Sequence, residues 1–307
     1  MIRYRILSLD GGGIRGLLTL VLLQKLDKLV ADWLSRVDLI AGTSTGGIIA
    51  LALAHGLPPG EVRKLYEEKC GVIFDDSWLD DLLDVGNLRG AAYDNKGLRR
   101  EVRRILGDTK LKDLGKNVLI STFDLDNEAE EPGTRHWKAK YFHNFVGEDS
   151  DGEALAYQVA LYTSAAPSYF PAVDGYVDGG VVTNNPSMAA LAQTQDSRAH
   201  IENRPALDEI ALLSIGTGQQ LYRIEGKRLD WGWGQWARPI INVMLDGGMR
   251  VVDYQCQQIL KAHYHRVCPV TTPPIALDDC RKTAVLIALG EAAPLDKTAQ
   301  WLQTYWM

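Results

Sequence analysis

What the 307-residue sequence lacks narrows its identity first. It has no apolar run approaching the roughly 18–20 residues that span a bilayer, so no membrane-crossing helix is expected. The stretch before Asp10, MIRYRILSL, holds too few apolar residues for a secretory h-region. Positive charge is not in excess: 33 Lys+Arg against 39 Asp+Glu give a formal charge of −6. A nucleic-acid binder would show a basic face, so no nucleic-acid polymer is expected as partner. The four cysteines (Cys70, Cys256, Cys268, Cys280) lie far apart, with no C-x-x-C pair and no histidine at ligand spacing. That pattern reads as reduced thiols in a cytoplasmic protein, not as a disulfide framework or zinc site. No repeat, low-complexity tract or composition break divides the chain. With 46% hydrophobic and 23% charged residues, it can build a large core.

What is present alternates strand and helix patterns. Tyr4–Leu9 reads as a strand ending at Asp10, and Gly16–Val30 as a buried helix. Val37–Ala41 is a second strand, and Gly46–His55 a second buried helix before Gly56-Leu57-Pro58-Pro59. Two strand–turn–helix units in succession point to an α/β fold, a mainly parallel sheet with helices on both faces. Cys70–Gly115 is less regular, with helical patterns around Leu79–Leu83 and Leu98–Leu106. Strands resume at Val118–Phe123 and His136–Phe142 across the acidic loop DLDNEAEEPG. Further along come a helix at Glu153–Ala166, a strand-like Gly175–Val182, a helix at Ser187–Gln193 and a strand at Glu209–Ile215. After Gly216-Thr217-Gly218 the texture changes to a Trp/Gly segment, a long helix near Ile240–Ala262, a strand at Tyr264–Val270 and a terminal helix. The expectation is one domain over 1–307: a core of about 1–218 and a C-terminal helical extension of about 219–307.

Two glycine-rich turns carry chemistry. Gly42-Thr43-Ser44-Thr45-Gly46 is a G-x-S-x-G between a strand and a helix. A serine there sits on a strained turn that lifts Oγ out of the sheet, and the helix turns its positive end toward it. The competing reading is a small-residue turn that only packs tightly. Asp10-Gly11-Gly12-Gly13-Ile14-Arg15-Gly16 also joins strand to helix, and its consecutive glycines can present N–H groups in one direction as an anion nest. The same letters satisfy G-x-G-x-x-G, but the acidic residue a dinucleotide site needs is misplaced: Asp38 precedes the apolar part of the next strand.

A serine hydroxyl needs a base. His263 and His265 flank Tyr264 at the start of a strand with no glycine-rich loop to hold an imidazole, and His136, His143 and His200 are lone histidines in polar or mixed segments. His55 lies a whole helix from Ser44, about 15 Å away at the helical rise. Asp178 fits better: it ends Tyr176-Val177, and Gly179-Gly180 leave its carboxylate uncrowded. A turn aspartate that caps a loop is the alternative.

Together, D-G-G-G-x-R-G, G-x-S-x-G about 30 residues on, and a distant D-G-G before N-N-P resemble the patatin-like phospholipases. Thr163-Ser164-Ala165-Ala166-Pro167-Ser168-Tyr169-Phe170-Pro171 and Gly216-Thr217-Gly218 look like further landmarks of that family, and the helix with Asp253-Tyr254-Gln255 matches more loosely. The third motif reads Asp-Gly-Gly where Asp-Gly-Ala is also common. The resemblance implies a three-layer α/β/α serine lipid acyl hydrolase that cleaves carboxylic esters of membrane phospholipids. It makes Ser44 the nucleophile and Asp178 the base. Gly11, Gly12, Gly13 and Arg15 become the oxyanion loop, and Gly42, Gly46, Gly179 and Gly180 the residues that support the turns. It implies no metal or other cofactor, a phospholipid or other acyl-ester substrate, and transient peripheral contact at the inner membrane. Bacterial members include regulated membrane-degrading effectors, some triggered by cyclic nucleotides; no signature here ties this chain to a small-molecule regulator, and oligomeric state is left open. The rival readings are a nucleotide-binding oxidoreductase and a non-enzymatic lipid- or partner-binding module. Trp78-Leu79 and Leu82-Leu83-Val85 read as an amphipathic core-facing helix ahead of a lid, and Trp231, Trp233 and Trp236 as core packing ahead of a channel rim.

Overall fold

The computed structural model describes residues 2–73 and 91–307, apart from 132, 202–203, 222, 227–228 and 237–238. Its strands are β1 (Tyr4–Leu9), β2 (Leu39–Thr43), β3 (Asn117–Asp124), β4 (Lys138–His143), β5 (Tyr176–Asp178), β6 (Ile210–Ile215), β7 (Gln219–Gln220), β8 (Tyr264–Val267) and β9 (Val270–Thr271). Its helices are α1 (Gly16–Leu29), α2 (Thr45–Ala54), α3 (Pro59–Ile73), α4 (Lys96–Leu106), α5 (Ala156–Thr163), α6 (Ser187–Thr194), α7 (Trp233–Trp236), α8 (Pro239–Leu260), α9 (Thr283–Ala292) and α10 (Asp296–Tyr305). The central sheet runs β4-β3-β2-β1-β6-β8, with β5 also paired to β3. β3, β2, β1, β6 and β8 are parallel, whereas β4 and β5 run antiparallel to β3.

Alternation along the strands builds two apolar layers. Leu7, Leu9, Ile40, Val118, Ile120, Leu213 and Ile215 face a core closed by α1 to α5 and by α9 and α10. Ile6, Leu39, Ala41, Leu119 and Leu212 face the opposite side, where α6 and α8 supply Ala190, Leu191, Cys256 and Leu260. Helix α2 is buried throughout its length, which is why its sequence is apolar on every face. The result is a three-layer α/β/α fold. From β1 the chain winds through β2 to β3 on one side and later through β6 to β8 on the other. The carboxyl end of β1 therefore lies at the point where the winding reverses, where open α/β sheets place ligands.

Several expectations shift. Helix α3 was not foreseen, although Pro59 at its first turn and Val62, Leu65, Tyr66 and Cys70 on its buried face follow helical spacing. The expected terminal helix is two helices, because Pro294 falls between α9 and α10 and cannot continue the hydrogen-bond ladder. The helical pattern at Trp78, Leu79, Leu82, Leu83 and Val85 lies outside the described residues. Trp231 and Trp236 are half-buried and pack on each other edge to face, with centroids 5.4 Å apart, outside both apolar layers. The segment after Gly218 contributes β8 to the central sheet itself.

The cysteines need the largest correction. Cys70 on α3 and Cys280, which precedes α9, are joined in a disulfide, with Cα atoms 5.9 Å apart; Cys256 and Cys268 are free thiols. Sequence spacing misses this pair because 210 residues separate them and only the tertiary fold brings α3 to the segment before α9. Closing so long a loop restricts the unfolded chain, a stabilisation of about 2–5 kcal/mol. Cys70→Ser with Cys280→Ser, or the wild type in reductant, should lower the urea midpoint by a corresponding amount. An unchanged midpoint contradicts a bridge that contributes to stability.

Candidate active site

The site assembles where β1 and β2 end side by side, with Leu9 opposite Gly42. After Thr43 the chain leaves the sheet at Ser44, whose φ of 54° and ψ of −124° are strained for a side-chain-bearing residue. Helix α2 begins at once with Thr45. The turn is this tight only because Gly46 packs flat on β1: a Cβ there would run into the Leu9 carbonyl. The Ser44 N–H donates to Thr163 Oγ1 at 2.8 Å, and the Thr163 hydroxyl donates to the Ser121 carbonyl. The elbow is thus tied to the end of α5, the start of the Thr163–Pro171 landmark.

Strand register brings Asp178 to the same place. Along one edge of β3, β2 pairs up to Thr43 opposite Ser121. The next position, Thr122, pairs with Asp178 of β5. Since β4 occupies the other edge of β3 over the same residues, β5 runs in the lane that β2 vacates at Ser44. The Asp178 N–H donates to the Ala165 carbonyl at 3.0 Å, and its Oδ1 accepts from the Gly180 N–H at 2.7 Å. Ser44 and Asp178 are 9% and 5% exposed. Burial raises the Asp178 carboxyl to about 6, while the Ser44 hydroxyl and the Gly180 N–H, both bonding to the carboxylate, oppose the rise.

The glycine loop lies against the elbow: a Cβ on Gly11 would sit 3.2 Å from the Ser44 Cβ. The Gly11 N–H is spent on the Asn184 carbonyl at 3.0 Å, so Gly11 offers no donor to a ligand. Its carbonyl accepts from Thr217 Oγ1 at 2.8 Å. Arg15, 5% exposed, donates from Nε to the Gly12 carbonyl at 3.2 Å. The Ile14 N–H donates to the Leu277 carbonyl at 2.8 Å. Gly13, at φ 58°, could not carry a Cβ, which would collide with that same carbonyl. Among the described residues no protein acceptor takes the N–H groups of Gly12 and Gly13. They are the loop's available anion donors.

A pocket of about 1200 Å³, measured with its open mouth, leads away from this polar end. Gly12, Gly13, Arg15, Ser44, Asp178 and Asn184 form its head. Ile48, Leu65, Ile73, Leu98 and Phe170 line its apolar body, and Met244 and Leu245 of α8 also reach it. No histidine lines it among the described residues. Neither Trp231 nor Trp236 is among the lining residues, and the side chain of Trp233 lies outside what the structure describes. His143 lies on β4 facing Asp149, and His265 bonds Thr298.

An exposed-ended apolar pocket headed by a strained serine, a buried carboxyl and two free amides suits acyl transfer. The family model described as patatin-like phospholipase matches residues 7–191. This chain belongs to the patatin-like phospholipase family. It is therefore a hydrolase of ester bonds. It is 32% identical to Patatin-like protein 2 of Arabidopsis thaliana, over 84% of this chain and 72% of that protein. It is 30% identical to a cGAMP-activated phospholipase of Pseudomonas aeruginosa, over 90% of this chain and 81% of that one. A cGAMP-activated phospholipase of Vibrio cholerae is 31% identical, over 78% and 73% of the two chains. The oxidoreductase reading of the glycine loop falls with this membership.

Sequence reasoning missed Thr163, Asn184, Thr217 and Leu277 as parts of the site. The first three sit inside the motifs Thr163–Pro171, Asn184-Asn185-Pro186 and Gly216-Thr217-Gly218, which were visible; Leu277 carries no local signal because it acts through its backbone carbonyl. Thr163→Val keeps the shape and leaves the buried Ser44 N–H without its acceptor. It should cost about 1–3 kcal/mol in urea unfolding. A loss below 0.5 kcal/mol, roughly the noise of such measurements, contradicts the role given to this bond.

Proposed function

We propose that this protein is a lipid acyl hydrolase in which Ser44 and Asp178 act as a nucleophile–base dyad on fatty acyl esters of membrane phospholipids. The observation that carries the reading is the register: β5 fills the lane left by β2, which sets the Asp178 carboxyl against the Ser44 hydroxyl beside the free Gly12 and Gly13 amides. Asp178 accepts the Ser44 proton as Oγ bonds to the acyl carbonyl carbon. The Gly12 and Gly13 N–H groups hold the oxyanion, and Arg15 keeps the Gly12 peptide in place. The tetrahedral species collapses, the leaving alkoxide takes the proton from Asp178, and the acyl group stays on Ser44. Water then gives its proton to Asp178 and attacks the acyl carbonyl, and Ser44 is regenerated with release of the fatty acid.

The apolar body of the pocket supports an acyl chain as the group held. Val243, Met244, Val251 and Tyr254 are exposed on α8, and Met244 also lines the pocket, which supports peripheral contact with a lipid surface. No helix among the described residues is long and apolar enough to cross a membrane.

Ser44→Ala and Asp178→Asn should each lower fatty acid release from mixed phospholipid vesicles by at least about 10³-fold while the chain stays folded. Mass spectrometry of the products measures this. Near wild-type release by Asp178→Asn contradicts the dyad.

The raised carboxyl sets a pH dependence. Below about 6 Asp178 is protonated and cannot accept the serine proton, so kcat/KM should rise with pH through an apparent value near 6. An acidic limb near 4, the value of an ordinary aspartate, contradicts a buried base.

A further inference from the structure

Asp10, the residue that opens the glycine loop, is fully buried and has a partner far away in sequence. Arg266 on β8 reaches it with both guanidinium arms: Nη2 lies 2.6 Å from Oδ2 and Nη1 3.3 Å from Oδ1. Nη1 also donates to Ser214 Oγ on β6 at 2.6 Å, and Nε lies 4.0 Å from Asp253 Oδ1 on α8. Burial pushes the Asp10 carboxyl up and the guanidinium opposes that rise. The pair spans the carboxyl ends of β1, β6 and β8, immediately before Gly11 leaves the sheet.

We propose that Arg266 is a positioning residue for the oxyanion loop, acting through Asp10 to fix the direction of the Gly12 and Gly13 N–H groups. This rests on the acyl-hydrolase reading above. The other restraints on the loop are single hydrogen bonds: Gly11 N–H to Asn184, Thr217 to the Gly11 carbonyl, Arg15 to the Gly12 carbonyl and Ile14 N–H to Leu277. At the loop's root the Asp10 N–H donates to the Ile215 carbonyl at 3.1 Å, again a single hydrogen bond. Arg266 holds the Asp10 side chain, with a forked, charge-assisted contact whose geometry a point charge cannot reproduce. Removing the guanidinium takes away the fork and the main counter-charge, with Arg15 as the remaining cation, so the carboxyl takes up a proton or draws the loop root toward water; in both cases the root loses its fixed direction. A shift of about 1 Å in the donors is enough to lower turnover about 10²-fold. Asp10 itself is sealed from the pocket and takes no part in proton transfer: it is absent from the pocket lining.

The prediction is a split between turnover and binding. On a soluble p-nitrophenyl acyl ester, Arg266→Met should lower kcat about 10–100-fold with KM within twofold of wild type. Affinity for a trifluoromethyl ketone analogue, which forms the oxyanion, should fall in parallel with kcat. Arg266→Lys restores the charge without the fork and should recover only part of the loss. Asp10→Asn combined with Arg266→Met removes both charges and should be more active than Arg266→Met alone; this pair of variants carries the test where Arg266→Met does not fold. Turnover by folded Arg266→Met within twofold of wild type, whatever its melting temperature, overturns the proposal. So does a loss carried by KM, or a double variant no better than the single one. Absence of turnover by the wild type overturns the acyl-hydrolase reading itself and this proposal with it.

Discussion

β2 ends its pairing with β3 one residue before Ser44, and β5 takes up the next position on the same edge. Everything in the site follows from this handover between two strands. Because β2 must leave the sheet to make room, Ser44 adopts a positive φ and α2 starts without a linker. Because β5 must enter there, Asp178 arrives from more than 130 positions away with its carboxyl facing the serine. The close packing of β1, β2 and α2 demands a glycine at position 46, since any side chain would meet the Leu9 carbonyl. The G-x-S-x-G spacing is thus the local imprint of a global constraint on the sheet.

Two buried carboxyls with different partners frame the loop between them. Among the described residues Asp178 has only hydrogen-bond donors as partners, and burial raises its carboxyl to about 6, a value at which it can exchange protons around neutral pH. Burial also raises the Asp10 carboxyl, but Arg266 opposes that rise and grips the carboxyl with both guanidinium arms, so Asp10 serves geometry. The fold makes this division by strand order. β6 and β8 bring an arginine to β1, whereas β5 comes to β3 without a cation. The disulfide between Cys70 and Cys280 adds a tie on the far side, joining a pocket wall on α3 to the segment near Leu277, whose carbonyl receives the Ile14 N–H.

Much of this was legible from the sequence, and the reason is local. The strand–turn–helix units around Asp10 and Ser44 carry their own periodicity and turn glycines, so β1, α1, β2 and α2 fall within two or three residues of expectation. Asp178 stood out because Gly179 and Gly180 follow it and because the family resemblance points to it. What escaped depends on contacts between distant segments. The Cys70–Cys280 bridge, the Arg266–Asp10 pair and the Leu277 carbonyl have no neighbouring sequence feature that announces them. Gly11 shows a subtler failure: its letter matches an oxyanion loop, yet its N–H is consumed by Asn184. Backbone hydrogen-bond accounting, which needs coordinates, separates a donor that is present from one that is available.

The central claim is that Ser44 is an activated nucleophile, and covalent trapping tests it most directly. The intact protein treated with a fluorophosphonate and digested should yield one phosphonylated peptide, modified at Ser44, and Asp178→Asn should suppress that adduct. A folded protein that forms no adduct, or forms it on another residue, contradicts the account.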